Sequence, residues 1–427
     1  MRSFVLALFV TSFIPFVHGY NNGLASSPPM GWNTWCTDDI CGLIDRCTES
    51  EVHSVADAIS SNGMKELGYE YINLDDCWAD SSRDENGKLQ GQPKQFPSGM
   101  KSLADYVHSK GLKLGLYTCV GTETCKKHRP GSYGHFDIDA QTFADWGIDF
   151  VKADFCNVPS NESEHTQELY HNFSNALNAT NRPMLFSLCE WGTSDVVEWG
   201  GEEGQMFRVQ MDHLPLWHFP PLAAGEGYGQ GVGDIIEYMG HIDPSKYTEP
   251  YGWMDPDFVM TLFMENYTSP DGLTIMNYVE SRTEFTFWSL WASPLIVATD
   301  PRNMSSAKKS IIMNEEVIAI NQDSLFVGGK RIQNNTDGGE VWSKPLENGD
   351  IAVVLYNKGN NTFGMGDAVE VTVTWAELGW EDVADGEVTM RDLWEHASVT
   401  PTDPTSGHTV LLDPKDVNML RIAKTSN

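Results

Sequence analysis

From Pro28 to about Asp300 the chain alternates short apolar runs with longer stretches in which apolar residues recur at helical spacing. Eight runs read as strands: "MGWNTW" (30–35), "YEYINLDDCW" (69–78), "LKLGLYTC" (112–119), "DFVKADFC" (149–156), "PMLFSLCEW" (183–191), "MFRVQMD" (206–212), "YGWMDPDF" (251–258) and "PLIVATD" (294–300). Their near-continuous hydrophobicity is that of strands covered on both faces, as in a parallel sheet. Between them Val52, Val55 and Ile59 share one helix face, while Gly111 and Gly147 stand where helices close. Strand and helix in eightfold alternation predict a (β/α)8 TIM barrel, which places its chemistry at the carboxyl ends of its strands.

After "AINQDSLF" (318–326) the period changes to two. "IAVVLYN" (351–357) is rich in β-formers, "AVEVTVTW" (368–375) alternates, and "ENGD" (347–350) is a hairpin signal. The expected organisation is therefore a leader at 1–19, a catalytic barrel at 20–326 and an antiparallel β domain at 327–427. No Gly/Pro/Ser-rich tract separates the last two, so the linker is short.

The leader expectation rests on Arg2 followed by an apolar run from Phe4 to about Val17, with Gly19 before a cleavage point. That run is short for a membrane span and contains Thr11, Ser12 and Pro15. Seven N-x-S/T triplets, at Asn161, Asn172, Asn178, Asn266, Asn303, Asn334 and Asn360, and eight cysteines fit export into an oxidising compartment. The product is expected outside the cell or in a lysosome or vacuole. Sixty acidic against 28 basic side chains give a net charge of −32, which repels nucleic acid and anionic membranes and leaves neutral partners such as sugars.

The strand ends then become informative. They carry Trp35; Asp75 and Asp76; Lys152 and Asp154; Glu190 and Trp191; Arg208 and Asp212; and Asp255 and Asp257. Any one acidic residue there could simply be solvated. Six such clusters on one rim suit a sugar, whose hydroxyls bond carboxylates and lysine and whose apolar face packs on indole. Lys152 and Arg208 would compete with a divalent ion, so no metal is expected, and His213 with His218 suits a supporting role better than ligation.

"SPPMGWNTW", "YINLDDCW", "YVHSKGLKLGLYTCVG", "FDIDAQTFADWGIDFVKADFC", "SLCEW", "GWMDPDF" and "AINQD", in order along the chain, resemble glycoside hydrolase family 27, the α-galactosidases and α-N-acetylgalactosaminidases. The resemblance implies a retaining exo-glycosidase barrel with a C-terminal β-sandwich. In it the nucleophile falls on Asp154 and the general acid/base on Asp212, four residues after Arg208. Trp35, Asp75, Asp76, Tyr117, Lys152, Glu190, Arg208 and Asp257 would bind the terminal sugar, the aspartate pair holding the axial 4-hydroxyl and the 6-hydroxyl of galactose. It also implies disulfides Cys36–Cys77, Cys41–Cys47 and Cys125–Cys156, leaving Cys119 and Cys189 as buried thiols or an unusual bridge.

Retention requires the two carboxyls about 5–5.5 Å apart, with Asp154 ionised and Asp212 protonated at the start. No cofactor is implied, since two carboxylates and water suffice. The expected substrate is a galactose-containing oligosaccharide, glycolipid or polysaccharide; no membrane anchor is expected, and a homodimer remains open. Glu190 with Trp191 resembles the galactose-selecting form, against the alternatives of an α-N-acetylgalactosaminidase or a catalytically silent galactoside-binding protein. Ala153, Phe155 and Met254 depart from the common family pattern and leave the aglycone preference open.

Overall fold

The computed structural model describes residues 20–35, 47–161, 165–219, 229–263 and 275–425. The leader at 1–19, Cys36, Cys41, Asn266 and the first four residues of the "GEGYGQGVG" segment (225–233) lie outside them. Eight parallel strands form one curled sheet: β1 (Met30–Asn33), β2 (Tyr71–Leu74), β3 (Lys113–Cys119), β4 (Phe150–Asp154), β5 (Leu185–Cys189), β6 (Met206–Arg208), β7 (Trp253–Asp255) and β8 (Leu295–Val297). Their spatial order is β7-β6-β5-β4-β3-β2-β1-β8, and Val259 closes the ring by bridging Val297 in parallel. Apart from Lys113 at the start of β3, every strand residue is buried, which is why the runs read as continuous rather than alternating.

A helix follows each strand: α1 (Glu49–Ile59), α2 (Met100–Ser109), α3 (Phe136–Trp146), α4 (Thr166–Ala179), α5 (Gly200–Glu203), α6 (Val232–Ile242) and α7 (Tyr278–Leu290) connect successive strands, and α8 (Ser306–Ile312) with α9 (Glu315–Asn321) follows β8. Gly147 closes α3 in the left-handed conformation, as expected.

The last part is antiparallel. Strands β9 (Lys330–Asn334), β10 (Gly339–Pro345), β11 (Ile351–Asn357), β12 (Val369–Thr374), β13 (Val388–Asp392), β14 (Ala397–Val399), β15 (Gly407–Leu412) and β16 (Val417–Lys424) form a six-stranded sheet, β14-β13-β16-β11-β10-β9, and a β12–β15 pair. Val341, Val353, Leu355, Val371, Val373, Trp375, Leu420 and Ile422 fill the space between them. The "ENGD" turn joins β10 to β11, with Pro345 opposite Ile351.

The two parts share a core. Trp342 on β10 and Tyr356 on β11 both meet Phe287 of α7, at ring-centre distances of 5.2 and 5.1 Å, and Trp342 also meets Trp291. Ten of the thirteen residues of α7 are buried, because one side faces the barrel and another the β domain. Arg331, paired with Glu340 of β10, spans the seam to Glu237 of α6, and Lys415 spans it to Glu280.

Candidate active site

At the carboxyl ends of β1 to β7 a cavity of about 630 Å³ opens, within the range of small-molecule sites. Its wall includes Trp35, Asp75, Asp76, Tyr117, Lys152, Asp154, Arg208, Asp212 and Asp257. A second cavity of about 750 Å³, between α6 and the β domain, gathers none of the expected site residues.

The floor is built by β4. Lys152 and Asp154 are two residues apart and project from the same face of the strand. The Lys152 ammonium lies 3.0 Å from Asp75 Oδ2 and 4.9 Å from the centre of the Phe258 ring. Burial works against that charge, but Asp75, with Asp154 and Asp257 behind it, holds the lysine above its ordinary value. Tyr117, opposite Lys152 on β3, donates its hydroxyl to Asp154 Oδ2 at 2.9 Å, and the Phe155 amide donates to Oδ1 at 3.0 Å. Burial, opposed by Lys152 and reinforced by the charge of Asp212, pushes the Asp154 carboxyl up to about 7.

Arg208 organises the other wall. Its Nη2 reaches Asp257 at 3.0 Å and Asp212 at 3.3 Å. The arginine and Asp257 side chains are each only 2% exposed, whereas that of Asp212 is 36% exposed and faces the cavity. Asp212 is also raised, by burial of its surroundings first, with Arg208 opposing and Asp257 adding. Asp257 takes a positive φ of 85°, a costly conformation for a non-glycine residue, and thereby accepts the amides of His213 and Phe258 while meeting Arg208. The two raised carboxyls are set between two fixed cations, Lys152 and Arg208, in the pocket wall.

The aspartates after β2 divide their work. Asp75 takes Lys152, while Asp76 accepts the Lys126 amide at 2.9 Å and has Arg129 at 3.6 Å. Both are almost fully buried, so their remaining oxygen valences point to a ligand whose hydroxyls replace water. Two carboxyls with raised affinity for a proton, a charged lysine and indoles at the mouth can cleave an acetal bond by displacement and proton transfer.

The family model described as alpha galactosidase A matches residues 27–323, and that of its C-terminal β-sandwich domain matches residues 336–422. The chain belongs to this family, glycoside hydrolase family 27. An α-galactosidase of Oryza sativa is 38% identical over 382 residues, 89% of this chain and 81% of the relative. The crystal structure of α-galactosidase I from Mortierella vinacea superposes with a TM-score of 0.83 at 33% identity, covering 95% of this chain and all of that one. The α-galactosidase of Saccharomyces cerevisiae with raffinose superposes with a TM-score of 0.80 at 25% identity, over 95% of this chain and 99% of that one.

Within this family fold, two expectations are corrected. Glu190 does not line the pocket: it is fully buried, and its carboxylate accepts the amides of Gly192, Thr193 and Ser194 at 2.7–3.0 Å and the Thr193 hydroxyl at 3.0 Å. The carboxylate is thus spent mainly on its own turn and stands apart from the residues that line the cavity. The turn projects Trp191 into the cavity instead, at φ 61°, and needs glycine at 192, where φ is 73° and a Cβ would fall 2.0 Å from the Val209 carbonyl oxygen.

The second correction concerns the cysteines. Cys47, just before α1, is bonded to Cys77, 5.7 Å away between Cα atoms, so neither Cys36–Cys77 nor Cys41–Cys47 forms. Each sulfur takes one partner, and the resemblance implied a different one for Cys47 and for Cys77. Cys125–Cys156 is present beside the nucleophile candidate, and Cys119 and Cys189 are buried free thiols. Sequence reasoning did not single out Lys127, Asn157 and Phe258, which also line the cavity. For Lys127 the available signal was the basic run "KKHR"; for the other two only adjacency to a motif.

Proposed function

We propose that the protein is a retaining exo-α-galactosidase. The observation that supports this most directly is the pairing of Asp154 and Asp212, both raised, between Lys152 and Arg208 at the base of a pocket closed at one end. The Asp154 carboxylate attacks the anomeric carbon as the bond to the leaving oxygen breaks, and Asp212 supplies that oxygen with a proton. The glycosyl ester no longer carries the Asp154 charge, so Asp212 becomes a stronger acid and its carboxylate takes a proton from the water that opens the ester. Two displacements leave the anomeric configuration unchanged.

Tyr117, held well above its ordinary value by burial and by Asp154, stays protonated and steadies the attacking oxygen. Asp75 and Asp76 are assigned to the 4- and 6-hydroxyls of galactose. Selection of galactose over its 2-acetamido counterpart is assigned to Trp191 rather than Glu190, since the indole is what fills that wall. The apolar leader and the N-x-S/T triplets support synthesis for export, and no helix among the described residues is long and apolar enough to cross a membrane.

The test is release of p-nitrophenol from its α-galactoside and α-N-acetylgalactosaminide. Hydrolysis of the galactoside alone, reduced on the order of 10³-fold or more in Asp154→Asn with an unchanged circular dichroism spectrum, supports the reading. Wild-type rates in that variant would remove the nucleophile assignment.

A further inference from the structure

Net charge −32 makes any concentration of cations on this chain worth tracing, and the run Lys126-Lys127-His128-Arg129 lies at the mouth of the active-site pocket. Two of its three lysine and arginine side chains are engaged locally. Lys126 sets its ammonium 5.3 Å above the Trp35 ring while its amide holds Asp76. Arg129 turns inward, donating to the carbonyls of Ala79 and Asp76 and pairing with the Asp76 carboxylate.

Lys127 is different. It is exposed, it lines the pocket, and among the described residues no carboxylate pairs with it. Its position is fixed by the backbone rather than by its side chain. Lys127 and His128 take successive positive φ values of 59° and 63°, in a loop pinned by Cys125–Cys156, by the Lys127 amide to Thr124 and by the Asn157 side chain to the Thr124 carbonyl. Two consecutive non-glycine residues in this conformation are costly, and the loop holds them there at the pocket mouth. Phe155 and Asn157, which succeed the nucleophile candidate, also line the cavity.

The geometry points to Lys127 as the residue that receives the aglycone, and to an aglycone carrying a carboxylate, as a neighbouring uronic acid does. This rests on the α-galactosidase reading and deepens it. Galactose itself is neutral and occupies the Asp75, Asp76 and Lys152 end, so an ammonium at the mouth meets whatever the galactose is attached to. The inward turn of Arg129 removes the planar fork that would suit a phosphate and leaves a point charge, adequate for a single carboxylate. In a chain this acidic, long-range attraction does not bring such a substrate in, so the preference is local to Lys127.

The experiment uses the full-length protein and two aryl α-galactosides, one with a carboxylate on the ring and the other its methyl ester. The quantity read is the ratio of kcat/KM for acid over ester, compared between wild type, Lys127→Gln, Lys127→Glu and Lys127→Arg, which cancels the differing reactivity of the two leaving groups. The ratio should fall about threefold in Lys127→Gln, further in Lys127→Glu, and return in Lys127→Arg; it should also shrink with added salt. A ratio unchanged across the variants overturns the inference while leaving the galactosidase reading intact. Absence of hydrolysis of both substrates by wild type would overturn the reading beneath it, and the inference with it.

Discussion

Asp154 and Asp212 are useful because neither is an ordinary carboxyl. Burial raises both, Asp212 adds to the rise of Asp154 and Asp257 to that of Asp212, so between them they retain a proton toward neutral pH. The Tyr117 hydroxyl and Phe155 amide favour the ionised form on Asp154, which places the shared proton on the more exposed Asp212. The rate should therefore be highest at acidic pH, and kcat/KM should fall about tenfold per pH unit well above 7, as the pair loses that proton. A profile still rising at pH 8 would contradict this. Asp212→Asn should be far more damaging with a poor leaving group such as a sugar than with p-nitrophenol, which departs without a proton; comparing the two substrates in that variant checks it.

Glu190 illustrates the limit of motif transfer at this scale. The sequence places it at the end of a barrel strand, where side chains meet ligands, and that position is right. What the letters do not carry is the turn geometry that folds its carboxylate back on three amides and sends the next residue forward. Glu190→Ala should thus act through Trp191, raising KM and lowering Tm, with loss of a buried hydrogen-bonded carboxylate costing about 2–5 kcal/mol in unfolding free energy. A kcat collapse with unchanged Tm would instead restore it to the sugar.

At the level of elements, the eight strands were legible because both faces of each are covered and the apolar runs are unbroken. Their ends were less so. Trp35, Asp75, Asp76 and Asp212 lie beyond the last paired residue of their strands, and Asp212 follows Arg208, where β6 stops, by four positions. Chemistry written in loops has no period to detect. Cys47 met the same difficulty, since its partner Cys77 stands 30 residues away, beyond the end of β2. Helix α7 lacks a clean amphipathic stripe for a different reason: it is packed from two directions.

Charge and pH act on the whole molecule. Glu284, buried on α7 and accepting from the Met260 amide and the Thr261 hydroxyl, is pushed up to about 8; Asp154 rises to about 7 and Asp255 to about 6, in each case chiefly through burial. Glu284, Asp255 and the Asp154–Asp212 pair each hold a proton in the folded chain at a pH where the unfolded chain has released it. Their contribution to stability is full below the ordinary carboxyl range, near 4, and is lost as pH rises through the folded values. His213, lowered to about 4 by burial, works in the opposite sense between 4 and 6.5, and only partly offsets three carboxyls. Tm should therefore be higher at pH 5 than at pH 7.5, and Glu284→Gln should flatten the difference; thermal scans at the two values decide it.

The shared core around Phe287, Trp291, Trp342 and Tyr356 also governs unfolding. Trp342→Ala should cost about 3–5 kcal/mol and still give one transition, because the cavity it leaves lies between the two parts rather than within one. Two separated transitions would show them to be independent.

That seam bears on ancestry as much as on stability. A catalytic barrel that ended near residue 326 would present Phe287 and Trp291 without the β10 and β11 aromatics that cover them, an adhesive face on an unfinished surface. Gene fusion and exon shuffling can exchange a module only when its borders are already finished surfaces. Here the border is unfinished on both sides, so the two parts are expected to be inherited, duplicated and lost as one unit, with innovation confined to the loops around the pocket mouth.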